Sequence, residues 1–111
     1  MPRYFFAILN MHEVLKSKLP EIKTLFKKYK VKRAFAFGSV CTPSFNDKSD
    51  IDFLISFEDG LDPLVQGENW WSLYYALQKL MNREIDLVSE NTLKNPYFSK
   101  VLDKTKTPIY E

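Results

Sequence analysis

The stretch DIDFLISF, residues 50–57, restricts the fold more than any other part of the chain. Ile51, Phe53, Leu54, Ile55 and Phe57 have the apolar, β-branched and aromatic character of a strand made for a core. Yet two carboxylates, Asp50 and Asp52, stand at its head, with Ser49 just before them. Alternate residues of a strand share a face, so these acids point the same way, about 6.6 Å apart along the backbone, while Ile51 and Phe53 point into the core. REIDLVSE, 83–90, repeats the device with Asp86 set between Ile85 and Leu87. If the two strands are neighbours, three carboxylates meet on one exposed face. Such a group repels itself unless it is protonated or bridged by a cation.

The rest of the chain supplies the frame. In 11–29, Leu15, Leu19, Ile22, Leu25, Phe26 and Tyr29 recur at helical spacing with lysines on the other face. Pro20 starts a second helix there, at a first-turn position where a missing N–H costs little. VKRAFAF, 31–37, reads as a strand. Residues 38–49 read as a loop with a short helical turn, 58–69 as a loop punctuated by Gly and Pro, and 68–82 as an amphipathic helix. Its stripe is Trp70, Leu73, Tyr74, Leu77, Leu80 and Met81, and the aromatics around it belong to core and rim. After the 83–90 strand, 91–105 reads as a short helical end broken near Pro96, and PIY as a tail segment. The order predicts a mixed α/β layer, with helices over one face of a small sheet.

At 111 residues the chain is the size of one domain. The expected division is 1–10 as a dispensable N-terminal extension, with Met11 as an alternative start, and 11–111 as the domain. Charge is unevenly spread: 1–37 hold nine Lys/Arg against two Glu, and 38–92 hold three Lys/Arg against ten Asp/Glu. An acidic middle of that kind invites a divalent cation. Cys41 is the sole cysteine, which excludes an intrachain disulfide and a Cys-based zinc site and fits a cytoplasmic setting. No apolar run approaches the roughly 20 residues of a membrane helix. The lysine-rich first helices lack interleaved aromatic platforms, so nucleic acid is not the expected partner. His12 has nothing nearby to pair with and reads as a surface residue.

An Asp-x-Asp pair alone is weak evidence, and the phosphatase form of it wants Thr or Val where Phe53 and Leu54 stand. The upstream residues sharpen it. Gly38 and Ser39 end the first strand, and ten residues separate Ser39 from Asp50. Glycine permits close backbone approach, and free N–H groups of a helical turn there make an anion site. A phosphate tail and its metal fit between Gly38–Ser39 and the acids. Hard oxygen ligands on a rigid sheet suit Mg²⁺ better than zinc, and one acid can touch two ions.

GS-x10-D-x-D followed by a third Asp on a later strand resembles the signature of the polymerase-beta-like nucleotidyltransferase superfamily. Over 11–111 the chain looks like the minimal, MNT, branch: the leading helices, FGS, SDIDFLI, the aromatic helix, IDLV and NPYF…IY follow in that order. The resemblance implies an α/β (α+β) fold, a small mixed β-sheet flanked by helices. It implies that Gly38 and Ser39, with Ser49 beside the acids, bind the nucleotide phosphates. Asp50 and Asp52 would hold the metal of the triphosphate. Asp86 would help hold a second Mg²⁺ and assist deprotonation of the acceptor hydroxyl. One departure stands out: Thr42 and Pro43 occupy positions where the family often has Arg and Gly, leaving Lys48 as the one cation between Ser39 and Asp50.

MNT proteins commonly pair with a HEPN-type toxin, and the implied activity is transfer of AMP from ATP to a tyrosine of that toxin. A bare core with no second domain for tRNA, primer-template or aminoglycoside suits a protein acceptor. Two alternatives stay open. One is a weak or inactive module that neutralises its partner by masking, which the Thr42–Pro43 change favours. The other is a catalytic subunit that modifies a small molecule or RNA after forming a homo-oligomer.

Overall fold

The computed structural model describes residues 13–41, 45–46, 48–90 and 106–111, with Ser39 and Cys41 described by their backbone alone. The expectations for 1–12, for Thr42 and Pro43 and for the helical end near Pro96 lie outside these residues. The elements are α1 (Glu13–Lys16), α2 (Leu19–Lys28), β1 (Val31–Phe37), a 3₁₀ turn (Gly38–Cys41), β2 (Ile51–Phe57), α3 (Pro63–Met81), β3 (Ile85–Ser89) and β4 (Thr107–Tyr110).

The strands form one mixed sheet in the order β3-β2-β1-β4. β1 runs antiparallel to β2 and β4, while β2 and β3 are parallel. A parallel pair needs a long crossover, and α3 supplies it. The expected small mixed sheet with flanking helices is what forms.

Strand alternation sorts the residues onto two faces. Ala34 and Ala36 of β1, Ile51, Phe53 and Ile55 of β2, Ile85 and Leu87 of β3 and Ile109 of β4 join the helical residues Leu15, Ile22, Phe26, Leu73, Leu77 and Met81 in one core. Phe26 is its centre, fully buried, edge-on to Phe53 at 5.8 Å and tilted against Tyr110 at 5.6 Å. The two small alanines let α2 approach the sheet closely enough for that packing. The opposite sheet face carries Asp52 and a smaller cluster, Phe37 and Leu54 with Phe35 and Val88.

Two elements differ from expectation. α3 begins at Pro63, so the 58–69 loop shrinks to a few residues. Asp62 is the cause: its side chain accepts from the Leu64 N–H at 2.8 Å, and Pro63 takes the next position, where its missing donor is not needed. The helix ends at Asn82 in the left-handed conformation, φ 52°. The PIY tail is part of an edge strand, β4, whose Pro108 pairs in register with Phe35. Edge strands tolerate proline because one side of the backbone has no ladder to complete. Among the described residues no helix is long and apolar enough to cross a membrane.

Candidate active site

The site grows from the junction of β1, β2 and β3. Phe37, the last residue of β1, pairs with Asp52, and the chain turns at once into the 3₁₀ segment. Gly38 makes that turn with φ +75°, a conformation side chains rarely adopt, and a Cβ there would collide with Oδ2 of Asp52. Glycine therefore serves both the turn and the approach: the backbone lies directly against the Asp52 carboxylate. Ser39 follows in the same turn, and Val40 anchors it in the core.

Asp52 and Asp86 are register partners across the parallel β2–β3 ladder, as are Ile51 with Ile85 and Phe53 with Leu87. The apolar neighbours of both acids are buried on the helix side, which leaves the carboxylates on the other. Asp50 and Asp86 are exposed and Asp52 is half-buried. Burial first, then the charges of Asp86 and Asp50, push the Asp52 carboxyl from 3.8 up to about 6. Asp52 thus senses both of the other acids.

The segment before Asp50 is held by hydrogen bonds. The Ser49 N–H donates to the Asn46 carbonyl at 3.0 Å, and the Asn46 N–H donates to the Ser49 hydroxyl at 3.1 Å. The Lys48 N–H donates to Asn46 Oδ1 at 2.9 Å, and Lys48 itself is exposed. The Ser49 hydroxyl is therefore an acceptor within the turn beside Asp50.

Arg83 is the residue that sequence reasoning passed over. Its Nη1 donates to the Ser49 carbonyl at 2.9 Å and to the Asn46 carbonyl at 3.2 Å, and its guanidinium lies 4.7 Å from the Phe45 ring centroid. The backbone beside it adds a bond from the Ile51 N–H to the Glu84 carbonyl, 3.1 Å. Arg83 thereby ties the loop carrying Asp50 to the strand carrying Asp86. Its position three residues before Asp86 was the one available hint; the partners lie more than thirty positions away.

A divalent metal fits the chemistry of this donor set: carboxylate oxygens only, and a half-buried acid whose charge is disfavoured until a cation stands beside it. As the side chains stand, no three acidic, histidine or cysteine groups among the described residues enclose an ion by themselves. Such an ion would draw its remaining ligands from phosphate oxygens and water, the usual habit of Mg²⁺. Trp70 and Tyr74 of α3 are placed elsewhere, stacked on each other at 5.3 Å, with Trp70 Nε1 donating to the Leu87 carbonyl at 3.2 Å.

Three kinds of likeness converge on this geometry. Residues 20–111 match the family described as "Polymerase beta, Nucleotidyltransferase". Two Methanocaldococcus jannaschii proteins, "Putative protein adenylyltransferase MJ0128" and "Putative protein adenylyltransferase MJ0126", are 37% identical over 82 residues and 32% identical over 100 residues. Those alignments cover 74% of this chain and 80% of the first relative, and 88% and 93% for the second. Among solved structures, one described as "Structure of putative minimal nucleotidyltransferase" superposes with a TM-score of 0.62 at 27% identity, over 84% of this chain and 91% of that one. A "toxin-antitoxin with AMP-PNP" reaches a TM-score of 0.65 at 20% identity, over 82% and 71% of the two chains, a likeness of fold. Another such fold match, TM-score 0.60 at 20% identity over 85% and 70%, is a "tri-AMPylated Shewanella oneidensis HEPN toxin in complex with MNT antitoxin". A glycine turn against a β-strand acid, a second acid on the adjacent parallel strand and sequence identity spread across the domain lead to one assignment: the chain belongs to the polymerase beta nucleotidyltransferase family.

Proposed function

We propose that this chain is a Mg²⁺-dependent protein adenylyltransferase of the antitoxin type, moving AMP from ATP to a tyrosine hydroxyl of a HEPN-type toxin. The observation that carries the proposal is the rung formed by Asp52 and Asp86 with Gly38 backed against Asp52. It leaves a backbone turn for phosphates next to carboxylates for a cation. The relatives named as protein adenylyltransferases and the fold match described as a HEPN toxin in complex with MNT antitoxin support the choice of acceptor.

In this reading Gly38 and Ser39 receive the β- and γ-phosphates on backbone N–H groups, with Ser49 at the edge of the pocket. Asp50, Asp52 and Asp86 would hold Mg²⁺, which when bound offsets the negative charge of the triphosphate and of the leaving pyrophosphate. Asp86, exposed like Asp50 but on the adjacent strand, accepts the proton of the acceptor hydroxyl. The hydroxyl oxygen bonds to the α-phosphorus, the bond to the β-phosphate oxygen breaks, and pyrophosphate leaves. Arg83 keeps the Asp50 loop in register with β3 throughout.

The test is calorimetric titration of a non-hydrolysable ATP analogue with Mg²⁺ into the wild type and into the Asp50→Asn/Asp52→Asn variant. Binding by the wild type that disappears in the variant is expected. With the toxin present, α-phosphate-labelled ATP should label it, and Asp52→Asn should abolish the label while the complex persists. A toxin silenced equally well by Asp52→Asn would overturn transfer in favour of masking.

A further inference from the structure

The exposed large hydrophobic residues of the described chain all lie on α3: Leu64, 73% exposed, Val65, 38%, Trp71, 55%, and Tyr75, 60%. Trp71 and Tyr75 stack on each other at 5.9 Å, making one flat aromatic patch rather than two scattered rings. Leu64, Glu68, Trp71 and Tyr75 follow one another at steps of four and three residues, the seam spacing of packed helices. They lie opposite Leu73, Leu77 and Met81, which bury the helix against the sheet. α3 therefore buries one apolar face within the domain and exposes a second apolar patch. Exposed aromatic patches bordered by charge mark interaction surfaces.

We infer that this outer face of α3 joins two copies of the chain, paired antiparallel about a two-fold axis. The charges select that occupant. Glu68 and Lys79 are exposed, flank the aromatic patch on either side, and neither belongs to an ion pair among the described residues. A two-fold interface sets a patch against itself. With the axis midway between Leu73 and Tyr74, Trp71 of one copy meets Tyr75 of the other, and Glu68 of each falls beside Lys79 of its mate. The patch is thus complementary to itself in apolar surface and in charge.

The fold supplies a second reason. Asp52 lies on the sheet face away from the helices, and α3 lies on the covered face. A back-to-back pair leaves both acid sites open, whereas an acceptor presenting its hydroxyl to those acids works on the other side of the sheet. The dimer is independent of whether the acceptor is a toxin tyrosine.

Sedimentation equilibrium of the full chain over a concentration series tests it. The wild type is expected to dimerise reversibly. Trp71→Ser/Tyr75→Ser should weaken dimerisation about a hundredfold with unchanged far-UV circular dichroism. Glu68→Lys and Lys79→Glu should each weaken it about tenfold, and the two swaps combined should restore it to near wild type. Because the swapped positions are exposed, they decide the matter even if the aromatic variant fails to fold. A wild type monomeric throughout would overturn the inference. So would a dimer indifferent to all of these changes, or one that the double swap weakens further.

Discussion

Asp52 and Asp86 occupy one rung of the parallel β2–β3 ladder, so two side chains of like charge stand side by side where the sheet opens to solvent. The carboxyl of Asp52 is raised from 3.8 to about 6 by burial and by Asp86 and Asp50. A raised carboxyl favours the folded state while it is protonated in that state. Its contribution is full below about 3.8 and is lost as pH rises through about 6. The ion-free chain should therefore lose stability from this group between about pH 4 and 7. Asp52→Asn should flatten that part of the profile and raise the urea midpoint near neutral pH. Added Mg²⁺ should stabilise the wild type above about pH 6 and progressively less below it, because the ion must then displace a proton. Urea titrations with and without the metal check both statements.

Gly38 and Gly60 both have positive φ, +75° and +79°, but a Cβ at Gly60 would meet nothing within 4 Å. Alanine at Gly60 should cost about 1 kcal/mol, the backbone term alone. Gly38→Ala adds the collision with Asp52 and should cost about 2–4 kcal/mol, with nucleotide binding lost. Denaturant midpoints for the two variants separate strain from collision.

Arg83→Ala removes two charge-assisted hydrogen bonds and the contact with the Phe45 ring, and should cost about 2–3 kcal/mol. Faster amide exchange at Asn46 and Ser49 is expected, along with a rise in the KM for nucleotide larger than the fall in kcat. Arg83→Lys keeps the charge but not the planar fork, so it should recover only part of the loss. A variant with wild-type exchange in that loop would show that the loop holds itself.

Phe26→Ala should cost about 3–5 kcal/mol, because it empties the space between α2, Phe53 and Tyr110. Thermal unfolding reads this directly. Activity per folded molecule should be preserved, since Phe26 lies on the sheet face away from Asp52.

The parts of the fold that were legible in the sequence were those governed by local period. VKRAFAF is the observed β1 residue for residue, and the period-two alternation around Asp52 and Asp86 put these two acids on one side because the other face had to be apolar, while Asp50 stands one residue before β2. The errors came from residues whose meaning depends on position. Asp62, Pro63 and Gly67 read as loop punctuation, yet an Asp–Pro pair also opens a helix, and Gly67 stands in open space on α3. Pro108 hid a strand, because proline argues against a central strand and says nothing against an edge. Arg83 was invisible because its carbonyl partners are set by tertiary folding alone.

The crossover through α3 also governs when the site can exist during folding. Asp52 and Asp86 belong to parallel strands separated in the chain by the whole of α3, so their pairing has to close that long connection. Closing a loop of that length costs entropy before any contact rewards it. A β1–β2 hairpin formed alone would carry Gly38 and Asp52 but no third acid. Nucleotide affinity that depends on Asp86 should therefore appear in refolding experiments with the last cooperative phase, making the site a reporter of completed topology rather than of early collapse.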